Sequence, residues 1–229
     1  MDRSEKSGHS LESVQRTEVF DRNEKGFTAL FEAVMFRKPV AYLQKLIDEG
    51  ADESARCADG MTPLMCSIIG HRQHDTFFFL TGTRNAPLDV GDNDGETPLM
   101  SLMVDNGIEY IEQLLKNGAN PFIKDKYGKT AREHYLYNGS PTWKPIINLL
   151  RTVEDCLLED INRSRLMAVM MAIQKRVGAD SPLSVLDEDT LLMIVKNSTG
   201  VLMTPDDIGR MKNGEIRDYV KAIMIKLQT

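Results

Sequence analysis

A five-residue pattern, Gly-x-Thr-Pro-Leu, returns along the sequence at nearly equal intervals. It stands in full at residues 60–64 and 95–99, and weaker copies begin at Gly26 and Gly128. The first residues of these copies are 34, 35 and 33 residues apart. A period of this length indicates stacked supersecondary units, because each unit needs its neighbours to cover its apolar face.

Each residue type in the pattern has a structural reason. Glycine permits a tight turn, threonine can cap the following helix, and proline fits the first helical turn. The leucine begins the buried face. A second motif, at residues 46–52 and 114–120, ends a second helix with Gly50 or Gly118, and these two glycines are 68 residues apart. A unit is therefore predicted as turn, helix, turn, helix, glycine cap and extended return.

The two motifs together resemble the ankyrin repeat. The resemblance covers about residues 21–151 and implies an all-α solenoid with short return loops and β-turns. The tetratricopeptide repeat has a similar period but lacks both motifs. The sequence departs from the ankyrin pattern after the leucine, where Phe31, Met65 and Met100 replace the usual histidine. We expect these turns to depend more on apolar packing.

The period divides the chain into three predicted parts. Residues 1–17 are expected to form a flexible tail or a loose first cap, residues 18–151 the ankyrin repeats, and residues 152–229 a small helical domain. The repeats are placed at about 21–55, 56–90, 91–123 and 124–151. The second helix of the fourth repeat is expected to start near Thr142, and one or two amphipathic helices should follow Leu150.

Composition excludes several classes of protein. The net charge is -6, the isoelectric point is about 5.3, and no cluster of lysine and arginine interrupts this acidity, so nucleic-acid binding is not expected. Three irregularly spaced cysteines indicate a reducing compartment rather than a disulfide framework. The longest apolar run, residues 166–173, is too short to cross a bilayer. We predict a cytoplasmic protein, or one in a host cytosol if the chain is an exported effector.

The sequence offers no clear catalytic or metal-binding constellation. His71 and His74 are three residues apart, but no cysteine or carboxylate is placed to complete a zinc set. Cys66 falls inside a predicted repeat helix, where neither a base nor an electropositive setting can be recognised. We therefore predict no catalytic residue, no metal and no cofactor. An enzyme whose catalytic groups are hidden in the sequence stays as a third alternative.

A solenoid of this type binds proteins through turn tips and late positions of the first helices, on its concave face. The candidate partner-binding residues on this face are Asn23, Lys25, Phe36, Arg56, Asp59, Ile69, Asp92, Asn93, Lys124, Lys126 and Tyr127. The first functional prediction is a non-enzymatic adaptor or scaffold that binds a partner protein through these residues.

A second resemblance lies in the C-terminal part of the chain. Residues 181–195 are similar to the opening of an F-box, although Asp187 replaces a proline and Thr190 a leucine. The matching residues are Pro182, Leu183, Leu186, Leu191, Leu192 and Ile194. This resemblance implies docking on a Skp-type adaptor, so that the chain would be a substrate receptor of a cullin-type ubiquitin ligase. The other interpretation is a helical cap that seals the last repeat.

Overall fold

The computed structural model describes residues 22–23, 26–69, 73–102, 107–177, 204–211 and 213–227. Within these ranges the chain is helical, and none of the residues forms a strand. The all-α class predicted from the sequence is thereby confirmed. The described residues fall into two compact units, one within residues 1–103 and one within residues 104–229.

Short helices build the first unit, and three of them begin directly after the repeated threonines Thr28, Thr62 and Thr97. The helices are α1 (Ala29–Met35), α2 (Val40–Asp48), α3 (Pro63–Ile69), α4 (His74–Gly82) and α5 (Pro98–Ser101). The hydroxyl oxygen of Thr28 accepts a hydrogen bond from the amide of Phe31 at 3.4 Å, and that of Thr62 from the amide of Met65 at 3.3 Å. Each bond satisfies an amide that has no partner within its helix.

The leucine of each pattern lies in the core of this unit. Leu30, Leu64 and Leu99 are all buried, and so are Leu43 and Leu80 from the second helices. α1 packs on α2 and α3, and α3 packs on α4 and α5. Burying one such side chain contributes about 1.5–3 kcal/mol, so the regular spacing of leucines supplies a large share of the packing energy.

Gly50 ends α2 as the sequence predicts. It has a φ of 95°, and the amide of Ala51 returns to the carbonyl of Leu46 at 2.9 Å. This is the left-handed cap that glycine favours. The corresponding end of α4 has no such cap, because Thr83 follows Gly82 with extended backbone. The second repeat therefore ends differently from the first.

Helices α6 (Ile108–Lys116) and α7 (Ala131–Asn138) open the second unit, and a 3-10 turn (Pro141–Trp143) leads into α8 (Lys144–Val177). α8 is 34 residues long. The prediction of a separate helix or pair of helices after Leu150 was wrong, because the helix continues without a break. Pro145 stands in its first turn, where proline is tolerated, and no glycine or further proline follows before Val177. The predicted domain limits of 151 and 152 therefore fall inside one helix, and they stay predictions.

The last described helices pack onto the middle of this unit. They are α9 (Pro205–Gly209) and α10 (Asn213–Lys226), and α10 packs on both α6 and α8. Ile216, Val220 and Ile223 are buried. Lys226 also donates a hydrogen bond to Asp160 of α8 at 2.8 Å. Across the described residues, no helix has both the length and the apolar character that a membrane span needs.

Candidate protein-binding surface

The turns that precede α1, α3 and α5 share one backbone geometry. Gly26, Gly60 and Gly95 have φ values of 76°, 81° and 79°. In each turn, the residue three positions before the glycine donates its amide to the residue after the glycine, and these distances are all 3.0 Å. The three turns are therefore equivalent in backbone conformation and hydrogen bonding.

Hydrogen bonds between neighbouring turns use several of the predicted binding side chains. Arg56 donates from Nη2 to Oδ1 of Asn93 at 3.5 Å, and Asn93 donates from Nδ2 to the carbonyl of Ala58 at 2.8 Å. The amide of Asn93 bonds the carbonyl of Asp59 at 3.2 Å. Arg56 and Asn93 thus connect consecutive turns, whereas the Asp59 side chain is exposed.

In two of these turns, the side chain of the first residue also forms hydrogen bonds within the protein. Oδ1 of Asp92 accepts hydrogen bonds from the amides of Asp94 and Glu96, both at 2.9 Å. Asn23 accepts from the amide of Phe27 at 3.0 Å and donates to Glu32. These side chains shape the turns. Lys25 lies outside the described residues.

Large apolar side chains are exposed at the C-terminal ends of α1 and α3. Phe36 is 67% exposed and Ile69 is 60% exposed, and Met35 is 37% exposed. Met35 and Ile69 are 34 residues apart, so they occupy equivalent positions in consecutive repeats. Because α1 and α3 pack side by side, these side chains belong to one end of the helix layer. We call Met35, Phe36 and Ile69 the apolar rim.

Phe36 lies at the C-terminal end of α1, where the backbone is strained. Arg37, directly after it, has a φ of 53°, a left-handed conformation that costs a residue with a Cβ roughly 1–2 kcal/mol. The amide of Lys38 bonds the carbonyl of Ala33 at 2.8 Å, and the amide of Arg37 bonds that of Val34 at 3.0 Å. This pair of bonds is the Schellman ending of a helix, here made with an arginine where glycine is usual.

Gln73 links the two helix ends that carry the rim. Its side-chain nitrogen donates to the carbonyl of Val34 in α1 at 2.9 Å, and its amide bonds the carbonyl of Ser67 in α3 at 3.4 Å. Its Oε1 is buried, and no described residue donates to it. The sequence predictions missed Gln73, because a glutamine before a helix carries no motif. Met35 was also missed, although its 34-residue spacing from Ile69 could have identified it.

In the second unit, the predicted tip residues have different environments. Lys124 forms an ion pair with Asp206 at 2.6 Å. Tyr127 is 67% exposed, and the Lys126 ammonium lies 5.0 Å from the centre of its ring. The buried Asp125 beside them accepts amide hydrogen bonds and contacts His134.

The candidate reactive groups have ordinary structural surroundings. Burial, with a smaller contribution from Cys57, raises the pKa of the Cys66 thiol to about 11. This thiol therefore stays protonated at neutral pH, unlike an activated nucleophile. The His74 ring stacks on Phe78 and lies 3.5 Å from Asp75, while His71 falls outside the described residues. The F-box-like residues from Pro182 to Ile194 also lie outside them.

The family model of the ankyrin repeat matches residues 94–126. This segment holds the pattern that begins at Gly95 and the closing motif that includes Gly118. No curated protein matches the chain. The match supports an ankyrin repeat protein, and such repeats typically serve in protein–protein interaction rather than in catalysis.

Proposed function

We propose that this chain is a protein-binding adaptor with four ankyrin repeats, and that the apolar rim is its contact surface in the first unit. The observation that carries the proposal is the exposure of Phe36 and Ile69 at the ends of neighbouring helices. Exposed apolar side chains that are grouped in this way are typical of interaction sites.

The chemistry of the rim favours a partner with an apolar anchor. Covering a side chain as large as Phe36 contributes about 1.5–3 kcal/mol, and aromatic anchors often dominate binding energy. The strained cap at Arg37 and the bond from Gln73 to Val34 hold the ends of α1 and α3 in place. A rim that is already ordered loses little entropy on binding.

The experiment is affinity capture with the full chain, followed by titration calorimetry with each purified candidate partner. The test variant is Phe36→Asp/Ile69→Asp, which places charge on the rim without touching the core. We expect it to weaken partner binding at least about tenfold. A partner that binds this variant as tightly as the native chain would exclude the rim as the contact surface.

A matched control comes from the second unit. Ile225 is 66% exposed, so Ile225→Asp introduces the same change at a similarly exposed site outside the rim. This variant should bind the partner like the native chain. If both variants weaken binding equally, the effect is a general response to surface charge and the proposal fails.

The ubiquitin-ligase alternative stays a prediction, and the same capture tests it. A Skp-type adaptor that binds the native chain and the rim variant, but not Leu186→Ala/Ile194→Ala, would favour the receptor. Absence of the adaptor from all captures, together with no binding of the purified adaptor, would reject this alternative.

A further inference from the structure

A pocket of about 480 Å³ lies within the second unit. Residues from four places in the chain line it: the return segment after α6, the first turn of α7, the middle of α8 and the start of α9. Phe122, Leu158 and Pro205 provide apolar walls. The pocket therefore combines an apolar surface with charged groups.

The charges around this pocket are predominantly negative. Its charged lining residues are Glu133, Glu154, Asp155, Asp206, Lys124 and Arg132. Both cations already have carboxylate partners, since Lys124 pairs with Asp206 and Arg132 with Glu154, each at 2.6 Å. The lining residues thus include two more carboxylates than cations, although Oε2 of Glu133 also accepts the amide of Thr130 at 2.7 Å. An anionic ligand would therefore be repelled, whereas a cation would find complementary charge.

Glu154 gives a second and independent indication. The residue is only 5% exposed, and its Oε2 accepts the hydrogen bond from Arg132. Its Oε1 is buried, and within the described part of the chain no donor reaches it. A buried acceptor without a donor is unfavourable and uncommon in native proteins. A ligand that brings an N–H group to this wall would supply the missing hydrogen bond.

We infer that this pocket binds a basic side chain, an arginine or a lysine, of a polypeptide partner. The apolar walls formed by Phe122, Leu158 and Pro205 suit the aliphatic stem of such a side chain. The excess carboxylates and the Glu154 oxygen suit its charged head. This site does not depend on the apolar rim, so either proposal can fail while the other stands.

The test uses nuclear magnetic resonance on the full chain with three capped tripeptides as probes. They carry glycines on both sides of arginine, of its uncharged analogue citrulline, or of glutamate. We expect the arginine peptide to change the chemical shifts of the backbone amides of Arg132 and Glu154, and these changes should saturate as the peptide concentration rises. The citrulline peptide should bind about tenfold more weakly, since it lacks the charge, and the glutamate peptide should not bind.

Variants of the chain test whether the arginine peptide binds in this pocket. Glu154→Gln should lower the affinity for the arginine peptide by about fivefold or more, because it removes the buried charge. Glu159→Gln makes the same change at an exposed position of the same helix, outside the pocket, and should leave the affinity unchanged. If Glu154→Gln fails to fold, the exposed Asp155→Asn provides the test and should also weaken binding.

Three results would overturn the inference. The first is equal shifts with the arginine and citrulline peptides. The second is binding of the glutamate peptide at these amides. The third is that the arginine peptide does not bind the native chain, or that it binds with an affinity that neither Glu154→Gln nor Asp155→Asn changes.

Discussion

Two separate requirements meet at Gly60. Its φ of 81° is a conformation that side chains with a Cβ rarely adopt. In addition, a Cβ at this position would lie 2.5 Å from the backbone nitrogen of Asn93, in the following turn. The glycine of the repeated pattern therefore serves both the turn itself and the close approach of the next turn.

Gly26 meets only the first of these two requirements. It has nearly the same φ, 76°, but a Cβ there would come no closer than 3.8 Å to the amide nitrogen of Ala58. Gly26→Ala should cost about 1 kcal/mol of unfolding free energy, the cost of the left-handed backbone. Gly60→Ala should cost about 3 kcal/mol, because the clash adds to it. Urea unfolding measures both values, and equal losses would contradict the argument.

Asp125 and Asp92 hold equivalent turn positions but differ in one contact. Oδ1 of Asp125 accepts the amides of Tyr127 and Lys129, both at 2.8 Å, as Oδ1 of Asp92 does in its own turn. Oδ2 of Asp125 additionally lies 2.8 Å from Nε2 of His134. Burial alone would raise the pKa of Asp125, but the amide of Lys129 and the His134 side chain outweigh it, so the pKa is lowered.

This difference predicts a pH-dependent loss of stability in Asp125→Asn. An acid whose pKa is lowered by folding stabilises the protein above its unfolded pKa, and this contribution disappears as the pH falls through the folded pKa. At pH 7 the variant should lose about 1–3 kcal/mol, and the loss should shrink below the ordinary aspartate pKa of 3.8. Asp92→Asn keeps an oxygen acceptor for both amides and should change stability little. Urea unfolding at pH 7 and at a series of pH values below the ordinary aspartate pKa of 3.8 measures both variants, and a loss that does not vary with pH would contradict the prediction.

At the scale of helices, the repeated part was predictable because its determinants are local. Gly60, Thr62 and Leu64 specify a turn, a cap and a buried face within five residues, and the structure uses them in those roles. The length of α8 was not predicted. Loss of the repeat period after Leu150 suggested a boundary, but a helix ends only where a breaker or cap stops it.

Contacts between distant residues could not be predicted from any single segment. The sequence identifies Gly118 as a helix cap. In the structure a Cβ at Gly118 would also lie 2.8 Å from the carbonyl oxygen of Arg217, where α10 approaches it. The pocket around Glu154 likewise joins segments between residues 122 and 206, and no linear motif describes it. On the candidate surface, Phe36 and Ile69 followed from their late helix positions, whereas Gln73 depends on a contact with Val34.

At the scale of the whole molecule, each compact unit has its own core. α10 contributes Ile223, which is 1% exposed, to the core of the second unit, whereas Ile225 on the same helix is 66% exposed. Ile223→Ala should therefore reduce the unfolding free energy by about 2–5 kcal/mol, and Ile225→Ala by less than about 0.5 kcal/mol. Urea unfolding gives the size of each effect but not its location in the chain.

Hydrogen exchange shows which part of the molecule responds. Ile223→Ala should accelerate amide exchange in α6 and α8, which pack against α10, because their opening free energy includes this contact. Amides of α1 and α3 belong to the other compact unit and should exchange at nearly the native rate. Ile225→Ala should leave all four helices unchanged. If Ile223→Ala accelerates exchange equally in α1, α3, α6 and α8, the chain opens as one cooperative body, and the two cores do not have separate stabilities.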